Sequence, residues 1–576
     1  MEKPVAYFSA EYGLPNNMPI YAGGLGILAG DILREASELS LPFVAVGVLY
    51  KKGFFKQALD KNGWQEEKDV YWNPEDYGLD PVKNQDGSPL SIILPFPKAN
   101  LNLLVWKNTV GKTFLYLLDA DNDDNPADLR DLTSNLYTGD WNLHLEQEYI
   151  LGVGGVRLLR ELKIESKMWH LNDDHSALSL LERLRELVSS GISFEDALSK
   201  IKETTLFTTH TPVRGAESVY DRETVLPFLK ILSGDKIDLE KIFSLGAKDT
   251  ETFSLSLLGI SLSGYKNAVS KRHHEISESL WDTKMDFVTN GVSSYHWVSN
   301  PMKTLYDNHL GTDWQSNINS AGMWQKVYDI SDKEFWSARL TAKKHLISYL
   351  LKNNILTSQI DENELFIGFA RRFAPYKQSQ ILISSMSHLK SMLLNSESPA
   401  HLFVSGKAHP IDNAGKKLLQ EVYWADNDPK VGEAIVFCEN YDIPLAKMLV
   451  SGVDLWLNTP KPPMEASGTS GMKAMLNGAI NASTLDGWWY EAFDGNNGWV
   501  VGSYDPEETA KMSIEELNDN LFYLLESEII PLYYDLEDGI PVKWIKKIKD
   551  SLVTCAPRFN TRRMLLEYKE KFYDRL

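Results

Sequence analysis

Cysteine is scarce in this sequence, and long apolar runs are missing from it. Only Cys438 and Cys555 occur among 576 residues, which argues against a disulfide framework or a zinc site and favours the cytoplasm. The longest apolar stretch, near residues 41–50, is about half as long as a membrane span. The first residues lack a basic segment followed by an apolar run, so we expect no signal peptide and no membrane partner.

Positive charge is also in deficit. Fifty-nine basic side chains face 79 acidic ones, which gives a net charge of −20. Such a field repels polyanions, so nucleic acid and acidic membrane surfaces are poor candidate partners. The acidic run at residues 119–124 resembles the opening of a calcium loop, but Asp124 stands where that loop needs glycine and Arg130 where it needs glutamate. We therefore expect no bound metal.

The length and composition indicate a globular protein with two large domains. A hydrophobic content of 43% with 16 Trp and 25 Tyr is typical of a folded chain. Apolar strands that end in polar tips and lead into helices are typical of a doubly wound α/β protein. The predicted strands include residues 5–9, 167–171, 206–209, 286–292, 365–370, 401–404, 434–437 and 455–457. The predicted helices include residues 27–39, 146–162 and 334–352. The irregular stretch from Asn300 to Val327 predicts a domain junction.

Residues 464–478 combine glycines, small side chains and a lysine. Their pattern opens a helix, so several backbone N–H groups would point at one spot and form an anion site. Lys473 could neutralise a phosphate there or bond to an aldehyde cofactor as a Schiff base. Spacing alone favours an ordinary glycine-rich helix start with an exposed lysine. A second glycine-rich turn, residues 21–26, could admit a ligand or be only a tight strand-to-helix turn.

A cluster of cations follows the predicted strand at residues 365–370. Arg371, Arg372 and Lys377 could converge around a turn on one dianion, although a solvated basic face is the usual explanation for such a run. Polar tips at residues 172–175 and at His210 lie where parallel sheets place ligands; the alternative is a helix cap with a solvated histidine. Together with the glycine-rich turns, the cations predict two phosphates between two sheets.

One long segment resembles a known family. Glu465-Ala466-Ser467-Gly468-Thr469-x-x-Met472-Lys473-x-x-Leu476-Asn477-Gly478, followed by Thr484-Leu485-Asp486-Gly487, closely resembles the cofactor segment of glycogen, starch and maltodextrin phosphorylases. Further matches in the family's order are residues 21–31, 172–177, 209–211, 289–297, 371–377, 405–408 and 439–441. The sequence therefore resembles the short α-glucan phosphorylases of bacteria and archaea.

The resemblance implies a fold and an assembly. Members of this family have the GT-B architecture, in which two Rossmann-like domains face a central cleft. By match, the N-terminal domain is residues 1–299, the C-terminal domain is residues 300–555, and a final helix within residues 556–576 crosses back to the first domain. A homodimer is implied because relatives form one.

The resemblance also implies a cofactor and a set of site residues. Pyridoxal 5′-phosphate would be bound as a Schiff base to Lys473, and its phosphate rather than its ring would relay a proton. The other implied cofactor contacts are Gly24, Trp297, Arg371, Tyr441, Gly468 and Thr469. The implied phosphate ligands are Arg372 and Lys377. The implied glucosyl contacts are Leu25, His210, Asn290, Tyr376, Glu465, Ser467 and Gly468, with Lys473, Arg372, Lys377 and His210 as the catalytic set.

The implied reaction is the reversible phosphorolysis of an α-1,4-glucan such as glycogen, starch or maltodextrin. Inorganic phosphate would release α-D-glucose 1-phosphate with retained configuration. Because cations would lower the repulsion between two phosphates that share a proton, the carboxylate pair of a glycosidase is not required. The alternatives are a nucleotide-sugar-dependent glucan synthase of the same fold, which has no use for a Schiff-base lysine, and an inactive glucan-binding homologue.

Four residues at three sites depart from the family's pattern. Ser470-Gly471 stands where Gly-Asn is usual, Arg371 where lysine is common, and Asp442 where many members carry arginine. We interpret them as subfamily features that keep the lysine and the anion site.

Overall fold

The computed structural model describes residues 2–213 and 217–575, and its strands form two large sheets. Up to residue 287 the strands are β1 Val5–Phe8, β2 Phe43–Val48, β3 Lys56–Leu59, β4 Gln65–Lys68, β5 Leu79–Pro81, β6 Ser91–Leu94, β7 Leu101–Val110, β8 Thr113–Asp119, β9 Met168–Asn172, β10 Thr205–Thr208, β11 Val219–Asp221, β12 Thr252–Ser254, β13 Tyr265–Ala268 and β14 Asp286–Phe287. In the rest of the chain they are β15 Leu365–Ala370, β16 Ala400–Ser405, β17 Ile435–Cys438, β18 Leu455–Asn458, β19 Ile480–Ser483 and β20 Gly498–Val500.

The first sheet has the order β14-β13-β10-β9-β1-β2-β8-β7-β5, and β6 pairs with β7. The strands from β14 to β8 are parallel, whereas β5, β6 and β8 pair with β7 in the antiparallel sense. β1, β2, β9 and β10 are buried along their whole length. Burial on both faces explains why β1 and β2 read as continuous apolar runs.

The second sheet has the order β17-β16-β15-β18-β19-β20, and all of its described pairs are parallel. β15 lies between β16 and β18, so the tips of β15 and β18 are neighbours. Functional groups that follow these strands are therefore brought together at one edge of the sheet. The mixed α/β class with parallel sheets is confirmed.

Helices cover both sheets. Up to residue 310 they are α1 Gly24–Glu38, α2 Ala127–Arg130, α3 Trp141–Tyr149, α4 Gly155–Glu161, α5 Leu178–Ser189, α6 Phe194–Glu203, α7 Arg222–Ser233, α8 Leu239–Ser244, α9 Leu255–Leu262, α10 Lys271–Trp281, α11 Ser294–Trp297 and α12 Asn300–Leu310. The later ones are α13 Ala321–Trp324, α14 Asp332–Lys352, α15 Gln380–Ile383, α16 Met386–Leu393, α17 Asn413–Asp426, α18 Ile443–Gly452, α19 Ser470–Leu476, α20 Trp489–Ala492, α21 Pro506–Thr509, α22 Ile514–Leu524, α23 Ile530–Tyr534, α24 Val542–Cys555 and α25 Thr561–Lys571. Among the described residues, no helix combines the length and hydropathy needed to cross a membrane.

Each sheet has its own apolar core, and three helices join the cores. Met564, Leu565 and Tyr568 of α25, near the end of the chain, pack into the core of the first sheet. In the opposite direction, Ile27 of α1 and Trp297 of α11 pack into the core of the second sheet. Elements that are distant in sequence therefore tie the two sheets together.

The prediction that the stretch from Asn300 to Val327 is irregular is wrong. The structure forms α12 there, with a proline in its first turn, and then α13. Apolar residues of α12 recur at helical spacing and are buried, among them Met302, Leu305 and Tyr306. The many polar residues of this stretch hid that pattern.

Two other predicted elements need correction. The strand predicted at residues 286–292 forms a regular strand only over Asp286–Phe287, although Val288 N and Asn290 N still donate to Ala268 O and Val269 O at the end of β13. The helix at residues 146–162 is interrupted by a π-helical turn over residues 150–154. A Cβ at Gly152 would lie 2.7 Å from Ser179 N, so the predicted close packing of this glycine-rich segment is confirmed.

Candidate functional site

Lys473 lies on α19 and is buried, with 6% of its surface exposed. Its Nζ lies 3.9 Å from the centre of the Trp297 ring. Burial lowers the pKa of Lys473 from 10.5 to about 8, although the charge of Asp31 acts in the opposite direction. The alternative of an exposed lysine beside an ordinary helix start is therefore wrong. A buried amine with a lowered pKa is suited to covalent chemistry with a carbonyl.

Asp31 of α1 fixes the surroundings of this lysine. Its Oδ2 accepts from Trp297 Nε1 at 2.9 Å and from Ser293 N at 3.0 Å. Its Oδ1 lies 2.8 Å from His296 Nδ1. Asp31 is 1% exposed, so these bonds hold the Trp297 ring firmly against Lys473.

Asn477 ties α19 to the segment that carries Trp297. Its Nδ2 donates to Trp297 O at 2.8 Å and to Lys473 O at 2.9 Å. Its Oδ1 accepts from Ser299 N at 2.8 Å. One amide thus sets the distance between the lysine helix and the aromatic ring.

The predicted cations gather after β15. Arg371 is buried and donates from Nη1 to Lys377 O at 3.0 Å. Burial lowers the pKa of Arg371 to about 10, so the guanidinium stays charged at neutral pH. Arg372 is exposed, and its Nη2 lies 3.5 Å from Tyr376 OH. The tip therefore presents one buried and one accessible guanidinium.

Glu465 forms an ion pair with Lys377. Arg371 Nη2 lies 4.0 Å from Glu465 Oε2. Burial acts to raise the pKa of Glu465, but the three cations outweigh it and hold that pKa below its ordinary value. Burial raises the pKa of Asp486, which accepts from Glu465 N at 2.8 Å, to about 8. At neutral pH the site thus contains an ionised Glu465 beside a protonated Asp486.

Two predicted sugar contacts have unsatisfied polar atoms. Asn290 Oδ1 and Ser467 Oγ are buried without a hydrogen-bond partner among the described residues. Buried polar atoms are normally paired, so both are available to a ligand. His210, after β10, lies with Nε2 2.8 Å from Asn172 Oδ1. Burial lowers the pKa of His210 well below its ordinary value, so its imidazole is neutral.

The glycine-rich turn of the first sheet faces the second sheet. Gly23 and Gly24 are exposed, and a Cβ added to either would meet no atom within 4 Å. Tyr21 OH accepts from Ile443 N, two residues after Tyr441, at 3.0 Å. The turn therefore leaves open space beside the start of α18.

The remaining predicted contacts lie just before α19, in the first turn of α1 and after β15. Thr469 directly precedes α19, and its carbonyl accepts from Lys473 N at 3.3 Å. Gly468 has a φ of 78°, a conformation that favours glycine. Leu25 is half-buried in the first turn of α1, and Tyr376 O accepts from Lys461 N at 2.8 Å.

The structure accounts for two of the departures. Asp442 caps α18, because its Oδ1 accepts from Leu445 N at 3.0 Å. Ser470 Oγ accepts from Trp456 Nε1 at 3.2 Å. A Cβ at Gly471 would lie 2.4 Å from Asn481 Oδ1 and 3.0 Å from Trp488, so this tight packing requires glycine.

Sequence reasoning gave no role to Asp31, Asn477 or Asp486. Each lies inside a matched segment, but a lone carboxylate or amide in a helix or loop carries no periodic signal. Asp31 is identified only by its contact with Trp297, which is 266 residues away in the sequence. A polar residue that interrupts the apolar face of α1 was the available hint.

The fold and the site define an α/β protein with a buried lysine of lowered pKa on α19 and a cluster of cations after β15. The family model of carbohydrate phosphorylases matches residues 138–495. The chain is 40% identical to maltodextrin phosphorylase of Thermococcus litoralis, covering 100% of this chain and 71% of that protein. It is 37% identical to glycogen phosphorylase of Aquifex aeolicus, covering 100% and 87%. It is 34% identical to glycogen phosphorylase of Mycobacterium tuberculosis, covering 99% and 70%. The chain belongs to the carbohydrate phosphorylase family.

Proposed function

We propose that this protein is an α-1,4-glucan phosphorylase that releases α-D-glucose 1-phosphate from glucan ends by reversible phosphorolysis with retention. The observation that carries the proposal is the buried amine of Lys473, with its pKa lowered to about 8. The relatives named maltodextrin phosphorylase and glycogen phosphorylase support a glucan as the substrate.

A GT-B architecture suits the two parallel sheets, each with its own core. We assign residues 1–299 and 300–555 to its two domains and residues 556–576 to the crossing segment. The packing of α25 on the first core supports this division. The homodimer stays a prediction.

The residues around Lys473 fit pyridoxal 5′-phosphate. Lys473 would hold it, Trp297 offers a ring face, and the space beside Gly24 admits a bulky group. Arg371, Gly468 and Thr469 would face its phosphate, and Tyr441 would complete the pocket. When bound, the cofactor would supply an acidic phosphate next to the substrate phosphate.

Arg372 and Lys377 would bind the substrate phosphate. Lys377 is paired with Glu465, so phosphate binding exchanges one anionic partner of Lys377 for another. Glu465 would then be released toward the sugar hydroxyls. This exchange links phosphate binding to glucosyl recognition in one step.

The sugar side would use groups with unsatisfied polar atoms. Asn290 Oδ1 would accept a hydroxyl proton, and Ser467 Oγ could donate or accept one. The neutral imidazole of His210 adds no charge beside the oxocarbenium-like carbon. Tyr376 and Leu25 would close the two sides of the glucosyl pocket.

The glucan synthase alternative is weaker. A nucleotide-sugar-dependent enzyme needs basic residues such as Arg372, but it has no use for a buried amine at the position of Lys473. An inactive glucan-binding protein would not need Arg371, Lys377 and Glu465 in one charged cluster.

The test combines cofactor mapping with activity. The purified protein is reduced with borohydride, digested and mapped, and glucose 1-phosphate is measured with maltodextrin and inorganic phosphate. We expect a pyridoxyl label on Lys473, and loss of both label and activity in Lys473→Arg with unchanged circular dichroism. A label on another lysine, activity without cofactor, or glucan extension from a nucleotide sugar alone would overturn the proposal.

A further inference from the structure

A second cluster of reactive side chains lies beside the first sheet. His144 and Glu148 lie one turn apart on α3, and His175 lies in the turn after β9. One ligand atom from each of the three lies within 4.8 Å of the other two. His144 Nε2 and Glu148 Oε1 are 3.6 Å apart. None of the three has a role in the proposed phosphorolysis.

The three side chains line a small internal cavity. Its wall also includes Ala10, Tyr50, Tyr137, Gln147 and Leu151. His144 Nε2 and His175 Nδ1 are buried and have no hydrogen-bond partner among the described residues. Two imidazole nitrogens without partners, next to a carboxylate, are unusual in a protein interior unless a ligand satisfies them.

Hydrogen bonds from outside the cluster orient the carboxylate. Glu148 Oε1 accepts from Ser218 Oγ at 2.9 Å, and Oε2 accepts from Tyr220 OH at 2.5 Å. Tyr137 OH lies 3.5 Å from His175 Nε2. Partners of this kind hold metal ligands in position in known metal sites.

Two carboxyl groups of this region, those of Glu148 and Asp174, are buried. Among residues 2–213 and 217–575, the ion pairs of Glu148 and Asp174 are with His144 and His175 and not with lysine or arginine. No lysine or arginine side chain therefore pairs with these two carboxyl groups in the described part of the chain.

We propose that His144, Glu148 and His175 bind one divalent transition-metal ion of the zinc class. Two imidazoles and one carboxylate are a donor set that zinc accepts, whereas calcium and magnesium prefer oxygen ligands throughout. Tetrahedral zinc would draw the three ligand atoms to separations of about 3.3 Å, a side-chain adjustment from the present distances. The fourth position would take a water molecule. We expected no metal because cysteine is scarce and the acidic run at residues 119–124 lacks two residues that a calcium loop requires. That expectation did not consider His144, Glu148 and His175.

The position of the cluster assigns the ion a bracing role. His175 follows β9, whose Asn172 Oδ1 lies 2.8 Å from His210 Nε2. Ser218 and Tyr220, whose hydroxyl groups donate to Glu148, follow His210 in the sequence. A bound ion would therefore fix α3 to both sides of the strand tips that position His210.

The test uses the metal alone on the full-length protein. The chelator-treated protein is titrated with Co²⁺ and followed by visible absorbance, and Zn²⁺ affinity is then measured by competition and by metal analysis. We expect one equivalent, with the intense d–d bands of a four-coordinate site. The double variant His144→Asn/His175→Asn should bind at least 100-fold more weakly, and Tyr220→Phe about 10-fold more weakly. The matched control is His388→Asn, since His388 pairs with Glu526 on the surface; it should leave binding unchanged.

A second readout remains valid if the double variant fails to fold. Histidines of the wild-type protein are modified with diethyl pyrocarbonate with and without Zn²⁺ and are mapped by mass spectrometry. We expect protection at His144 and His175 and none at His388. Binding of less than one equivalent, unchanged affinity in a folded double variant, or equal modification of His144 and His175 with and without Zn²⁺ would overturn the proposal.

Discussion

At the residue scale, two buried lysines have similarly lowered pKa values but different surroundings. Burial lowers the pKa of Lys473 and of Lys343 to about 8. Lys343 Nζ lies 2.5 Å from Asp454 Oδ2 and also donates to Glu364 O and Tyr533 OH. Lys473 instead faces an aromatic ring. Lys343 stabilises the fold through these contacts, whereas Lys473 is held in a costly state that suits chemistry.

Lys473→Met is expected to stabilise the cofactor-free protein at pH 7. The folded amine has a pKa of about 8 and the unfolded amine 10.5, so folding below pH 8 buries a charge at a cost of about 3 kcal/mol. That cost disappears as the pH rises from 8 to 10.5, so the gain should shrink over the same window. Urea unfolding at pH 7 and pH 10 measures both values.

Lys343→Met is the control for this prediction. It leaves Asp454, which is 0% exposed, without its closest cation and should destabilise by about 3 kcal/mol. Stabilisation by both substitutions, or by neither, would contradict the distinction between the two lysines.

Glu465→Gln is expected to change phosphate and glucan binding in opposite directions. The substitution removes the charge that neutralises Lys377, so inorganic phosphate should bind about tenfold more tightly. The same substitution removes an ionised acceptor for sugar hydroxyls, so KM for glucan should rise. Equilibrium dialysis of phosphate and steady-state kinetics measure the two effects.

Lys377→Ala provides the comparison. It should abolish phosphorolysis while glucan affinity stays within a few fold, because Lys377 acts on the phosphate. An equal loss of glucan affinity would indicate a structural role for this lysine, and an unchanged phosphate affinity in Glu465→Gln would show that the ion pair does not compete with phosphate.

At the scale of elements, α19 is placed by close packing rather than by its own length. Its seven residues are too few for a stable isolated helix. Asn477 joins it to Trp297, and Asn481 Nδ2 donates to Gly471 O at 3.1 Å. The lysine therefore depends on contacts at both ends of α19.

Gly471→Ala is expected to destabilise the protein and weaken cofactor retention. The new Cβ would lie 2.4 Å from Asn481 Oδ1, and relieving such a clash costs about 1–3 kcal/mol. The control is Gly322→Ala on α13, where a Cβ meets no atom within 4 Å; it should be neutral or stabilising by about 0.5–1 kcal/mol. Calorimetry and cofactor content test both, and equal melting temperatures for the two variants would refute the packing argument.

At the scale of the whole molecule, α25 joins the end of the chain to α1. Arg562 Nη1 lies 3.1 Å from Glu35 Oε1 across 527 residues of sequence. Burial raises the pKa of Glu35 from 4.5 to about 7, against the opposing effect of Arg562. The charge state of this contact therefore changes near neutral pH.

Arg562→Ala should destabilise the protein more at pH 8 than at pH 5. Because the folded pKa of Glu35 lies above the unfolded one, Glu35 is protonated and needs no cation at pH 5, whereas at pH 8 it is ionised and would be buried without one. We expect a difference of about 1–3 kcal/mol between the two pH values. Denaturant unfolding at both values measures it. In Glu35→Gln/Arg562→Ala the pH difference should vanish, and its persistence would assign the effect to another group.

The sequence by itself determined the α/β class, most strand positions and the residues of the lysine segment, because buried parallel strands and glycine-rich turns leave local patterns. The family resemblance implied the cofactor and the reaction. Only the tertiary structure decided that Lys473 is buried against Trp297, that Asp31 and Asn477 hold that contact, and that Lys377 pairs with Glu465. These facts depend on residues far apart in the chain, and local propensity carries no information about them. The same reason explains why the cluster of His144, Glu148 and His175 was not predicted, because only the folded chain brings His175 to α3.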